Sequence, residues 1–138
     1  MAGTCDFPAD RFYDSGRHMW FRDEGQGRFR VGITAQGART VGDLVAFMPK
    51  RVGGRAEAGR SIATVESGKW VGAVRLPFAG EVVEANEAPI DRPDLINRDP
   101  FGAGWMVVVL ADDPDATRTL LASGTAACDE FQARDNAP

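Results

Sequence analysis

Ser61-Ile62-Ala63-Thr64-Val65-Glu66-Ser67-Gly68-Lys69-Trp70-Val71-Gly72-Ala73-Val74-Arg75 holds two strand-like runs, 61–66 and 70–75, separated only by Ser67, Gly68 and Lys69. A connection this short leaves no room for a crossover, so the runs pair antiparallel as a hairpin. Gly68 supplies the left-handed φ that such turns often demand, which puts Lys69 at or beside the apex.

The chain on either side breaks into more short strands. Met19-Trp20-Phe21-Arg22 and Arg28-Phe29-Arg30-Val31-Gly32-Ile33 flank Asp23-Glu24-Gly25-Gln26-Gly27 and read as a second hairpin. Ala35 to Val41 suits a helical turn, and Leu44-Val45-Ala46-Phe47-Met48 a buried strand stopped by Pro49. The Gly-rich stretch from Lys50 to Gly59 reads as an exposed loop. After Pro77, Gly80 to Asn86 alternates as a strand, Pro89 to Pro100 reads as a loop or short helix, and Trp105 to Leu110 is the most apolar run. Ala116 to Leu121 looks helical, with Asp113 or Asp115 as its cap, and a further turn or helix is expected after Gly124. Met1 to Gly16 is polar and turn-rich, anchored by Phe7 and Phe12-Tyr13. Short strands punctuated by Gly and Pro predict a mainly β fold, a β-sandwich or flattened barrel with short peripheral and C-terminal helices.

Length and composition narrow the function. The 138 residues suit one domain over 1–138, with an N-terminal extension of about 1–16 and a C-terminal helical segment of about 113–134. No run is long and apolar enough to span a bilayer, and Met1 to Asp6 lacks the basic and apolar regions of a secretory leader. The expectation is a cytoplasmic protein without membrane attachment. The net charge of -4, with arginines scattered among acids, argues against a nucleic-acid partner. Cys5, Cys128 and the single histidine, His18, have no metal-ligand spacing.

One compositional feature bears on chemistry. The only lysines are Lys50 and Lys69. Arginine cannot replace an acylable amine, because its guanidinium stays protonated. A lysine at a hairpin apex is held clear of the domain, and an acyl group joined to it by an amide would reach on the order of 10–15 Å. Spacing alone does not separate such an arm from an ordinary solvated turn lysine. A Schiff-base role is disfavoured, since that needs burial or a cationic neighbour and Glu66 offers the opposite. The flanks Gly68 and Trp70 lack the methionines usual beside a biotinyl lysine.

The surroundings decide. From about His18 to Leu110 the chain resembles the H protein of the glycine cleavage system and its lipoate-binding relatives. The resemblance is carried by His18-Met19-Trp20, Val31-Gly32-Ile33-Thr34, Gly42-Asp43, Val65-Glu66-Ser67-Gly68-Lys69, Pro77 to Glu87 and Pro93 to Trp105. It implies a lipoyl-domain-like barrel-sandwich hybrid of two small sheets, and a non-catalytic carrier with lipoate joined to Lys69. The implied partners are a lipoate–protein ligase or octanoyl/lipoyl transfer machinery, with dihydrolipoamide dehydrogenase as a further one.

Departures from the family pattern point to a subgroup. Arg17-His18-Met19-Trp20 stands where Ser-His-Glu-Trp is usual, Glu66-Ser67-Gly68-Lys69-Trp70 in place of Glu-Ser-Val-Lys-Ala, and Lys50-Arg51-Val52-Gly53 in place of Pro-Glu-Val-Gly. The stretch Gly68 to Gly72, with Cys5 before Phe7-Pro8 and Cys128 near the end, is more similar to a lipoate-binding branch linked to sulfur oxidation. The swinging arm would there serve a heterodisulfide-reductase-like complex; the alternative is aminomethyl transfer among glycine cleavage enzymes, and a third reading is an unmodified binding or structural relative. Glu66, Ser67, Gly68 and Trp70 are candidates for ligase recognition or docking, with His18 another candidate that packing beside Trp20 explains as well. Cys5 and Cys128 are candidate redox thiols if both chain ends approach the hairpin.

Overall fold

A computed structural model describes residues 10–68 and 70–123, with the side chains of Ser15, Ala122 and Ser123 outside the description. The elements are β1 (Phe12–Asp14), a 3-10 turn (Ser15–Arg17), β2 (Met19–Gly25), β3 (Arg28–Ile33), α1 (Ala35–Val41), β4 (Leu44–Pro49), β5 (Arg55–Ala56), β6 (Ser61–Ser67), β7 (Trp70–Arg75), β8 (Gly80–Ala85), α2 (Ala88–Asp91), α3 (Asp94–Arg98), β9 (Val107–Ala111), α4 (Pro114–Leu120) and β10 (Ala122–Ser123). They form a seven-stranded sheet, β10-β1-β2-β3-β9-β8-β5, and a three-stranded sheet, β4-β6-β7. Every strand pair is antiparallel. The fold is the mainly β, lipoyl-domain-like sandwich that the strand pattern and the resemblance predict.

Alternation along the strands builds one core between the sheets. Phe21, Phe29, Val31, Val82 and Val109 from the larger sheet meet Leu44, Phe47, Val65 and Val74 from the smaller one. Phe78, in the connection from β7 to β8, packs its ring 5.5 Å from Phe21 and 5.9 Å from Phe29. A second cluster gathers Tyr13 and Trp20 with Phe101 and Trp105. Trp20 lies across Gly32, its β3 partner, where any Cβ would come within 2.5 Å of the indole. Its Nε1–H donates to the Pro100 carbonyl at 2.8 Å.

Local chemistry sets the element ends. Thr34 caps α1 by accepting from the Gly37 amide at 3.1 Å, and Asp113, not Asp115, caps α4 by accepting from Ala116 at 3.1 Å. Asn97 on α3 accepts from the Leu44 amide at 2.9 Å and donates to the Gly42 carbonyl at 2.7 Å, so it fixes the passage from α1 into β4. Arg118 on α4 donates to Asp23 on β2 at 2.7 Å, tying that helix to the larger sheet.

Three expectations are corrected. Of the expected C-terminal helical segment of about 113–134, Pro114–Leu120 is helical and Ala122 and Ser123 pair as a strand with Tyr13 and Phe12; the remainder, with the turn or helix expected after Gly124, lies outside the described residues. Phe12 and Tyr13 therefore belong to a strand rather than to a turn-rich extension. The stretch 50–59 is not wholly exposed: β5 pairs with β8 through Arg55 and Ala56, and Ala56 is buried. Trp105 precedes β9 and is half-buried beneath the Arg30 guanidinium, 4.4 Å from the ring, instead of lying in a central strand. No helix among the described residues is long and apolar enough to cross a membrane.

Candidate functional site

β6 and β7 pair from Ser61 opposite Arg75 to Ser67 opposite Trp70, leaving Gly68 and Lys69 as the whole connection. Lys69 lies outside the described residues, as do Cys5 and Cys128. Its flanks are described. Ser67 is buried, and its hydroxyl donates across the hairpin to the Trp70 carbonyl at 3.5 Å. Glu66 sits one step back, opposite Val71 on one side and Ala46 on the other.

Gly68 is exposed, and a Cβ added there would meet nothing within 4 Å. Its φ is outside the left-handed region, contrary to the expectation from sequence. The first loop position of type I and II turns takes a negative φ, so this two-residue connection does not need glycine there for its backbone.

Trp70 is 42% exposed, and its indole folds back over Gly72 on the same strand. Below it opens a cavity of about 480 Å³ between the β7 edge and α1. Ile33, Val41, Val65, Trp70 and Val74 give it an apolar wall, and His18, Arg17 and Arg75 also line it. The structure thus brings His18 and Trp70 together on one cavity. His18 is half-buried at a φ of 57°, and its carbonyl accepts from the Thr34 amide at 2.8 Å. The neighbouring turn, by holding His18 in that conformation, sets the cavity wall.

The cavity residues of α1 and the 3-10 turn, Gly37, Thr40, Val41 and Arg17, were not identified from sequence. They come from segments distant along the chain, and no local pattern marks residues that meet only through the stacking of two sheets. The glycine at position 37 was the available signal: a Cβ there would lie 2.7 Å from the Cβ of His18.

Comparison with known proteins adds to this geometry. The family profile described as "Glycine cleavage H-protein" matches residues 11–133. The chain is 41% identical over 132 residues to "Glycine cleavage system H protein 5" of Aquifex aeolicus, covering 93% of this chain and 88% of that protein. It is 40% identical over 120 residues to the "Glycine cleavage system H protein" of Idiomarina loihiensis, covering 87% and 92%. The crystal structure of a glycine cleavage system H protein from Mycobacterium marinum superposes with a TM-score of 0.77 at 32% identity, over 91% of this chain and 98% of that one. A two-residue hairpin connection holding Lys69, the two-sheet sandwich behind it and these matches lead to one conclusion: the chain belongs to the glycine cleavage H-protein family.

Proposed function

We propose that this chain is a non-catalytic lipoyl carrier of the glycine cleavage type, with lipoate joined by an amide to Lys69. Proteins of this family carry lipoate covalently attached to a lysine. The observation that carries the assignment to Lys69 is the register of Ser67 opposite Trp70, which leaves this lysine in a two-residue connection, beside a glycine in open space. The only other lysine, Lys50, follows β4, and its side chain folds against Gly54.

The bound group supplies a strained five-membered disulfide, easier to reduce than an open-chain one and ready to accept a transferred group. The chain's own residues supply placement. Ser67 closes the end of the hairpin and holds the base of the arm in one position. Glu66, adjacent to the turn, presents a carboxylate to the modifying enzyme, a lipoate–protein ligase or octanoyl/lipoyl transfer machinery. Trp70, Val65, Val74 and Ile33 offer an apolar wall beside the arm. In this reading the partners are the glycine decarboxylase, the tetrahydrofolate-dependent transferase and dihydrolipoamide dehydrogenase.

A second reading, service to a heterodisulfide-reductase-like complex in sulfur oxidation, draws support from one feature of that wall. Its charged residues among those described are Arg17 and Arg75, and none is a carboxylate. An aminomethyl adduct is a cation, whereas an oxidised sulfur adduct is an anion; Arg17 is paired with Asp14, so it is the Arg75 guanidinium, in no ion pair among the described residues, that favours the latter.

Intact mass after expression with a lipoate ligase tests the attachment. The lipoyl increment is expected in the wild type and in Lys50→Arg and absent in Lys69→Arg; its survival in Lys69→Arg would refute the assignment. Reconstitution of the lipoylated chain with glycine decarboxylase and its transferase then separates the readings. Glycine-dependent turnover supports the first, and its absence in a fully lipoylated sample supports the second.

A further inference from the structure

The outer face of β4-β6-β7, continuous with the β6–β7 hairpin, stands open at Val45, Met48 and Val71 among the described residues, while α2 and α3 touch β4. Register places Ala46, Glu66 and Val71 in one row and Met48, Thr64 and Ala73 in the next. Val71 is 63% exposed, Val45 60% and Met48 52%. These exposed apolar side chains stand on the two outer strands, β4 and β7, and flank Glu66 and Thr64 on the central one.

The far end of the same face is basic. Lys50 follows β4, Arg60 precedes β6 and Arg75 ends β7, so all three strands bring a cation to one edge, and Arg51 adds a fourth. The Lys50 amide donates to Ile62 at 2.8 Å and the Leu76 amide to Arg60 at 2.9 Å, which keeps these segments side by side. Arg51, Arg60 and Arg75 are exposed. None of the four cations takes part in an ion pair among the described residues, while Arg17, Arg22, Arg30, Arg55, Arg98 and Arg118 each hold a carboxylate. Unpaired positive charge concentrated at one edge stands out in a chain whose net charge is -4.

We propose that this face is the docking surface for an acidic protein partner, which seats carboxylates on Lys50, Arg51, Arg60 and Arg75 and apolar side chains on Val45, Met48 and Val71. The inference rests on the carrier reading, because the partner is the enzyme that the arm serves. A sheet edge roughly 20 Å from the hairpin, at about 3.3 Å per residue, lets one partner grip the basic edge and reach the arm together. Opposite charge guides encounter and register, and Val45, Met48 and Val71 add burial once the surfaces meet.

Two measurements test it. Backbone amide shifts of the full-length, lipoylated chain are followed as a synthetic peptide alternating Glu and Leu is added, with a Lys–Leu peptide as the opposite-charge probe. Shifts are expected only with the acidic peptide, confined to residues 45–51, 60–66 and 71–75, and lost in the triple variant Lys50→Glu/Arg51→Glu/Arg60→Glu. Shifts elsewhere, or equal response to both peptides, would overturn the proposal. So would dimerisation through Val71, or binding to phosphatidylserine vesicles in place of the peptide.

The second measurement is carrier turnover by glycine decarboxylase. The triple variant is expected to raise the KM for the carrier about tenfold with kcat unchanged, and to lose most of the wild-type salt dependence. Arg28→Glu/Arg39→Glu/Arg92→Glu makes the same charge change at exposed sites elsewhere and should leave KM within about twofold. Equal effects of the two triple variants would overturn the docking face. Should the wild type support no turnover, the glycine cleavage reading falls while the peptide titration still decides the docking face.

Discussion

At position 68 a side chain has room, and at position 72 it does not. Gly68→Val adds its branched carbons to open solvent at a φ that valine tolerates, so stability to denaturant should stay within about 0.5 kcal/mol of the parent. Gly72→Ala drives a methyl into the ring atoms of Trp70, and the indole, being the movable party, should swing outward. Red-shifted tryptophan emission from Gly72→Ala, against an unchanged spectrum from Gly68→Val, is the expected pair of results. Tyr13 makes a second prediction at this scale. Burial pushes its phenol well above the ordinary range, with Arg11 pulling weakly the other way. The raised folded value means that its contribution to stability is complete below about pH 10 and is lost as pH climbs from there, because the unfolded chain ionises first. As the only tyrosine, it gives a clean signal. Phenolate absorbance should appear together with unfolding, and Tyr13→Phe should move the alkaline midpoint upward; phenolate formation near pH 10 with the fold intact would contradict this. Residue identity made Lys69 legible, since only two amines compete for the role. It misread Gly68, because glycine is chosen for φ, for close approach or for neither, and sequence does not say which.

Among the elements, those with a strong local signal were legible and those made by partners were not. The β6–β7 hairpin follows from two runs and a short connection, and α1 from the run Ala35 to Val41, although its Thr34 cap came only with the structure. β5 and β10 have two residues each, too few to show any periodicity. They exist because β8 and β1 present open edges to them. β1 is three residues inside a polar segment, and Tyr13 is buried by Trp20 and Phe101 rather than by any pattern of its own. The cavity inherits this difficulty, for its α1 wall is capped locally by Thr34 but held in place by Asn97, which bonds Ala38 and Gly42 across 59 and 55 positions of the chain. Thr34→Ala tests how far the cavity depends on the cap. Its hydroxyl is fully buried and accepts the Gly37 amide, so its loss should cost about 1 kcal/mol. Amide exchange should quicken first at Gly37 and Ala38, while the β6–β7 hairpin, on the opposite side of the cavity, keeps its protection. Uniform acceleration across both would show that α1 is not an independent wall.

For the molecule as a whole, a carrier is useful only if the hairpin's position is transmitted rigidly from one partner to the next. The three-stranded sheet that bears the hairpin is small, and among the described residues its edge strands, β4 and β7, pair with no further strand. Its rigidity must therefore come from the larger sheet through the shared core. Phe78 is central to that coupling: it leaves β7, sits against Phe21 and Phe29, and delivers the chain into β8. Truncating it removes both ring contacts and opens a cavity where the chain passes between sheets, at a cost of about 3–5 kcal/mol. Against a total stability of roughly 5–15 kcal/mol, this is a large share. If the residues act as one cooperative unit, Phe78→Ala should lower the midpoint of both sheets equally. Trp20 reports the larger sheet and Trp70 the smaller, so single-tryptophan versions retaining one or the other should give coincident denaturation curves in the parent and in the variant. A separate, earlier transition at Trp70 would mean that the hairpin sheet melts on its own. In that case the arm would be borne by a mobile flap, and a partner would have to order that flap before accepting its cargo.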